Sequence, residues 1–311
     1  MDIKAILMGL AFAFMWSSAF TSARIIVAEA PPLSALALRF AISGTLGIML
    51  ALALGQSWKL SRAQWKATVI FGICQNALYL GLNFVAMQTV EAGLAAIIAS
   101  SMPLLVALAG TLFYNERISG LAAAGLAAGL LGVALIMGSR LSGGVDLGGL
   151  LLCGIGVLAL TFATLSVRSA SSGGNLMMVV GLQMVIGSAA LTLVAIPLET
   201  WDVTWSTRLT FAFVYTTLVP GLAATFVWFL LVERIGAVRA ATFHFLNPFL
   251  GVAIAAVFLG ERLGIFDLIG VTIIMFGILA VQLSRHADAG HKGGSRQKGR
   301  RIAAAIRRGK G

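Results

Sequence analysis

The chain has 311 residues, 59% of them hydrophobic and 11% charged, with a mean hydropathy of +0.98. A soluble domain carries about 25% charged residues, so this composition excludes soluble enzymes and binding modules and calls for a protein integral to a membrane. The net charge of +11 does not argue for nucleic acid, because residues 285–311 alone hold nine Lys or Arg against Asp288.

Crossing a hydrocarbon core of about 30 Å takes about 20 apolar residues in a helix, since lipid offers no partner to an open backbone group. That ruler predicts ten segments, the first at 5–28. Lys4 before an apolar run and small residues at Ser17-Ser18-Ala19 and Thr21-Ser22-Ala23 imitate a cleaved signal peptide. Cleavage would leave nine helices and spoil the internal match described below, so the segment is read as helix 1. The second, 33–54, carries Arg39, a charge about six residues inside its helix. Arg39 either snorkels to the interface, with Glu29 or Glu91 as partner, or serves as a handle for an anion or carboxylate. The third, 66–87, contains Cys74 and a stripe of Asn76, Tyr79 and Asn83 at intervals of three and four, which an α-helix places on one face.

The fourth segment, 92–113, has Ser100 and Ser101 beside Pro103. The fifth, 119–138, has Gly125 and Gly129 four apart, a spacing that lets helices approach closely. Ser142-Gly143-Gly144 then forms a natural joint before the sixth, 147–167, which holds Cys153, Thr161 and Phe162. The seventh, 176–196, has Gln183, and the eighth, 209–231, is interrupted by Pro220-Gly221. The ninth, 237–259, combines His244, Asn247 and Pro248; the tenth is 264–284. Trp58, Trp65, Trp201 and Trp205 flank segments as interfacial anchors. Two cysteines in separate apolar runs offer neither a disulfide framework nor a metal cluster, and no cofactor is implied. Residues 285–311 read as a disordered cytoplasmic tail able to touch anionic lipid headgroups.

The chain repeats itself. A shift of 145 carries Pro248 to Pro103, Phe258 to Phe113, Glu261-Arg262 to Glu116-Arg117, Gly270 to Gly125 and Gly277 to Gly132. Residues 1–141 and 146–284 therefore read as two repeats of five helices each. Lys4, Lys59, Arg62, Lys66, Arg117, Arg168, Arg234 and Arg239 collect on one side, against Arg24, Arg140, Arg208 and Arg262 on the other. The richer side is cytoplasmic and takes both termini. With an odd number of helices per repeat, the second half enters the membrane inverted.

With ten helices in five plus five, Pro103 and Pro248 in helices 4 and 9, and Glu116-Arg117 and Glu261-Arg262 closing matched hairpins, the chain resembles the EamA-type members of the drug/metabolite transporter superfamily. The resemblance covers about residues 5–284; Asn115 stands where the second hairpin has Gly260. It implies a basket of helices around a central cavity in the bacterial cytoplasmic membrane. Helices 5 and 10 would lie outside, as in a monomer or at a homodimer contact. Members move amino acids, other metabolites, sugar derivatives or toxic cations, and the chain looks most similar to amino-acid and metabolite exporters.

Polar side chains in mid-membrane face a wet cavity or glue helices together. The substrate-binding candidates are Trp16 and Ser17, Asn76, Tyr79 and Asn83, Ser100, Phe162, His244 and Asn247, with Arg39 as the possible anion handle. Proline removes a backbone bond and frees the carbonyl four residues earlier, so Pro103, Pro220 and Pro248 release Ala99, Thr216 and His244. Broken helices at matched places are the best sequence pointer to a transporter's site. All eleven acidic residues fall at segment ends, in loops or in the tail, which leaves His244 as the mid-membrane group able to change charge near neutrality. The expectation is a facilitator, or an exporter with histidine-based coupling, working by alternating access. Multidrug or cation efflux on the same fold is the alternative, and a non-transporting assembly protein a second. An enzyme is not expected, since His244 stands without a nucleophile or a ligand set.

Overall fold

The computed structural model describes residues 3–114, 119–142, 144–166, 173–235, 240 and 242–284, and every regular element among them is helical. The turn at Glu116-Arg117, the joint at Gly143, Arg168, Arg239 and the tail 285–311 lie outside the described residues. In chain order the apolar helices are α1 (Ile3–Glu29), α2 (Pro32–Ala53), α3 (Arg62–Ala86), α4 (Ala92–Phe113), α5 (Gly120–Ser139), α6 (Leu147–Ser166), α7 (Leu176–Leu198), α8 (Thr207–Trp228), α9 (Phe243–Leu259) and α10 (Ile265–Ser284). Among the described residues nine are long and apolar enough to cross a bilayer, and α9 is shorter.

Each helix begins with N–H groups that have no partner in their own helix, and in several of them a local or distant side chain supplies the acceptor. Ser61 and Gln64 form a capping box on α3. The Glu199 carboxylate accepts from Leu33 N and Ser34 N, both at 2.8 Å, at the start of α2. Glu261 accepts from Ala92 N at 2.7 Å and Gly93 N at 2.9 Å at the start of α4. Asp146 accepts from Gly149 N at 2.8 Å and from the Thr89 hydroxyl at 2.7 Å, tying the loop after α3 to the start of α6. The Thr89 hydroxyl first, then the Gly149 N–H, hold the Asp146 carboxyl below the usual carboxylate range. At Glu261 burial wins over the two N–H donors and pushes the carboxyl up.

Four helices are irregular where they face the bundle centre. The middle of α3 is a run of wide π turns, Gly72–Tyr79. In α4 the regular helix is interrupted at Ser101, which its neighbours Ala92–Ser100 and Met102–Tyr114 flank. A second π run, Thr217–Ala223, surrounds Pro220 in α8. In α9 a tight 3-10 turn, Thr242–Leu246, precedes Asn247–Leu259. Pro248 therefore sits in the first turn of a regular helix, where its missing N–H has no partner to lose. It opens that helix after the 3-10 turn, as Pro103 opens Met102–Tyr114 after the interruption at Ser101.

Packing is closest where glycines face each other. α2 crosses α7 at Gly44 and Gly181, where a Cβ on Gly44 would come within 3.0 Å of the Gly181 carbonyl oxygen. α5 lies against α10: a Cβ on Gly125 would meet the Gly277 oxygen at 2.7 Å, and one on Gly132 the Gly270 oxygen at 2.8 Å. On Gly277 the obstacles are Gly125 O at 2.6 Å and Gly129 N at 2.8 Å, backbone atoms that cannot swing aside. Gly277→Val is expected to push the pair apart and cost about 1–3 kcal/mol, the usual cost of overpacking. A thermal melt of the detergent-solubilised protein, followed by gel filtration, reads this; a melting point unchanged from the parent chain contradicts it.

Candidate functional site

The irregular stretches of α3, α4, α8 and α9 surround one cavity of about 590 Å³, completed by α1, α2, α6 and α7. It reaches Gln64 and Ala67 near the start of α3, Thr164 near the end of α6, and Leu176 at the start of α7. Its mouth thus lies at the end of the bundle where α3 and α7 begin. Towards the other end α4 and α9 press together: a Cβ on Gly251 would come within 2.5 Å of the Ala96 Cβ, and one on Gly93 within 3.5 Å of the Val252 Cα. Glu261 on the start of α4, Glu199 on the start of α2, Arg24 on the Met87 carbonyl and Ser206 on the Glu29 carboxylate complete that closure.

Aromatic rings form one wall. The Phe12 and Trp228 rings lie 4.7 Å apart, Phe12 and Trp16 5.7 Å. His244 meets Phe12 and Trp228 at 5.2 Å, both near edge-on. Aromatic rings attract one another in such tilted and T-shaped pairs. The Asn247 amide nitrogen lies 2.9 Å from His244 Nδ1; with the amide donating, Nδ1 accepts and the ring proton sits on Nε2. That bond fixes the amide and leaves Asn247 Oδ1 buried without a partner. Ser17 lies alongside, its hydroxyl 3.5 Å from the Asn247 carbonyl oxygen.

Arg39 also lines the cavity and is 6% exposed. It does not snorkel to Glu29, whose carboxylate takes the Ser206 hydroxyl. Pro220 has no N–H to offer the carbonyl of Thr216, and that carbonyl accepts instead from Arg39 Nε at 3.2 Å. The guanidinium carbon stands 5.1 Å from the centre of the neighbouring Phe40 ring. No Asp, Glu or Lys lines the cavity among the described residues, so Arg39 is the one charged side chain there.

Of the residues singled out in the sequence, Trp16, Ser17, Arg39, Asn76, Tyr79, Ser100, Pro103, Pro220, His244 and Asn247 line the cavity. Asn83, Phe162 and Pro248 do not. Asn83 is buried behind Tyr79, donating to its carbonyl at 2.8 Å, with its amide nitrogen where a Cβ on Gly156 would be. The π turns give more residues per turn than an α-helix, so a three-and-four spacing drifts round the axis and carries Asn83 off the face of Asn76 and Tyr79. Phe162 is 57% exposed on the outer side of α6, while its neighbour Thr161 is buried. Sequence reasoning missed Phe12, Phe20, Phe71, Gln75 and Trp228 in the lining. Two signals existed: Phe12 lies four residues before Trp16, and the shift of 145 carries Trp228 onto Asn83.

The EamA-like transporter family model matches residues 3–138 and again 147–283. The uncharacterized transporter YvbV of Bacillus subtilis strain 168 is 26% identical over 279 residues, covering 88% of this chain and 90% of its own. The uncharacterized inner membrane transporter YedA of Escherichia coli K12 is 27% identical over 282 residues, 88% of each chain. A solved crystal structure superposes with a TM-score of 0.65 at 22% identity, over 92% of this chain and 99% of that one, and shows the fold. The chain belongs to the EamA-like transporter family and is an integral membrane transporter.

Proposed function

We propose that this EamA-like transporter carries small solutes by alternating access, foremost amino acids with apolar or aromatic side chains or related metabolites. The observation that carries the reading is the cavity itself: a pocket of about 590 Å³ between broken helices, lined by rings, a cation and amides. Concave, mostly apolar sites with a few converging polar groups are what small molecules occupy. The alternative of cation efflux is less favoured, since the lining described here offers a cation no carboxylate.

Contacts that survive exchange of the halves support two five-helix repeats of opposite sense. The shift of 145 turns Gly125 into Gly270 and Gly277 into Gly132, so the two close approaches between α5 and α10 swap into each other. A shift of 144 does the same for Gly44 against Gly181 and for Ser188, whose hydroxyl donates to the Ala37 carbonyl at 2.7 Å. Rocking one half against the other would close the present mouth and open the far end. Lys59, Arg62 and Lys66 mark the mouth's side as cytoplasmic, a state suited to loading an exporter. The basic tail would then lie inside, against anionic headgroups.

With no carboxylate in the lining, the cycle is read as uniport or as coupled through His244. In proteoliposomes, uptake of radiolabelled amino acids in counterflow is expected above that of empty liposomes, and equal with and without a pH gradient. Strict gradient dependence would remove uniport. Absence of counterflow for every amino acid, purine, dipeptide and cationic drug in the screen would remove the carrier reading.

A further inference from the structure

We infer that the cargo is an organic carboxylate and that Arg39 is the group that takes its charge, so the carrier accepts anions and zwitterions with apolar bodies and rejects bare cations. The inference rests on the transport reading above and adds the chemistry of what is carried.

A guanidinium keeps its charge across the physiological pH range and presents N–H donors in a planar fork. Among the described residues the hydrogen bond that Arg39 makes is from Nε, to the Thr216 carbonyl. A carbonyl accepts a hydrogen bond but cannot neutralise the charge. No ion pair relieves it either: among the described residues Arg39 has no carboxylate partner, although it is more than nine-tenths buried. A structural arginine is normally buried with its counterion, because an uncompensated buried charge is strongly unfavourable. Here no counterion stands beside it among the described residues, and the side chain borders the cavity. A carboxylate entering from the mouth would supply the charge and a shape that two parallel N–H bonds fit.

The position of Arg39 sets how a ligand would lie. Its Nε is tied to the π run of α8 beneath Pro220, which holds the fork still before anything binds. The ring wall of Phe12, Trp16 and Trp228 is formed by α1 and α8, and Asn247 Oδ1 waits beside it for a donor. The shift of 144 puts Gln183 at the equivalent place in the other half, also in the lining but uncharged. The charge in the cavity is therefore one-sided. A carboxylate has a single preferred end, and a bare ammonium meets only repulsion from Arg39.

Three probes share one ring and differ in charge: L-phenylalanine (zwitterion), 3-phenylpropanoate (anion) and phenethylamine (cation). Binding to the purified full chain in nanodiscs is read by thermal shift and by competition for counterflow. The first two are expected to bind, with phenethylamine at least roughly tenfold weaker, the scale of a charge-assisted bond. Arg39→Gln is expected to weaken 3-phenylpropanoate by roughly tenfold or more, and Arg39→Lys to recover part of the loss, since it restores the charge without the fork. Phenethylamine binding as tightly as 3-phenylpropanoate overturns the inference, as does failure of 3-phenylpropanoate to bind. If Arg39→Gln does not fold, the parent chain and Arg39→Lys decide through the same three probes. A flux screen in which the carried solute lacks a carboxylate sinks this assignment and keeps the carrier; a screen in which nothing moves sinks the carrier reading itself.

Discussion

A disulfide between cysteines placed at Gly93 and Val252 is expected to abolish transport, and a reductant to restore it. The two positions belong to α4 and α9, which close the cavity at the end away from its mouth. An added Cβ on Gly93 stands 3.5 Å from the Val252 Cα, so the two Cα atoms lie within about 5 Å, inside the range that a disulfide spans. Val252 is buried in that contact and Gly93 faces it across the start of α4. The obstacle nearest the new Cβ is the Glu261 carboxylate at 3.0 Å, which also accepts from Ala92 N and Gly93 N and must shift by a few tenths of an ångström to admit the cysteine. Native Cys74 and Cys153 are free thiols and would be replaced first. Alternating access requires α4 and α9 to part at this point in every cycle, so a covalent bond across them holds the carrier with one face closed. Counterflow should fall to the level of empty liposomes under oxidant. Full flux with the cross-link verified by mass spectrometry would mean that this end never opens and that alternating access is the wrong description.

How much of this was legible in the sequence follows from what each residue depends on. The spanning stretches are legible because a bilayer imposes a length and a polarity that no tertiary contact overrides. The breaks at Pro103 and Pro220 are legible because a missing N–H is a local fact, and the carbonyl freed by Pro220 is the one that holds Arg39. What the break becomes is not local. Nothing in Gly72–Tyr79 announces π turns; they coincide with Asn76 donating to the Gln183 carbonyl at 2.9 Å on a helix 107 residues away. Asn83 was placed by an α-helical period that those wider turns do not keep. Phe162 shows the opposite lesson, since a strict shift of 145 from Trp16 lands on Thr161, the buried neighbour, and choosing the aromatic over the register pointed the reading at lipid. Phe12 and Trp228 were missed because a ring in a membrane helix has the same local signature whether it faces lipid or cavity.

Asn247→Leu is expected to weaken L-phenylalanine by roughly tenfold to a hundredfold and to leave 3-phenylpropanoate nearly unchanged. The argument begins with the accounting of one amide. Its nitrogen is committed to His244 Nδ1 at 2.9 Å, which prevents the group from turning to suit a ligand. Its oxygen is buried and unpaired, and an acceptor left without a donor in a site of low polarity costs about 1–3 kcal/mol. A solute ammonium that reaches this oxygen from the cavity would satisfy it. A hydrogen bond to a charged group contributes about 1.5–3 kcal/mol, which is the stated range of affinity. Leucine keeps the branched outline of asparagine with methyl groups at both amide positions, so the acceptor disappears together with the donor to His244 Nδ1. The propanoate has no ammonium and loses nothing by the substitution. Binding measured on the same nanodiscs separates the two ends of the ligand: Arg39→Gln should affect both probes, Asn247→Leu only the zwitterion. Equal loss for both probes in Asn247→Leu would make Asn247 a packing residue, and no loss for either would place the ammonium elsewhere in the cavity.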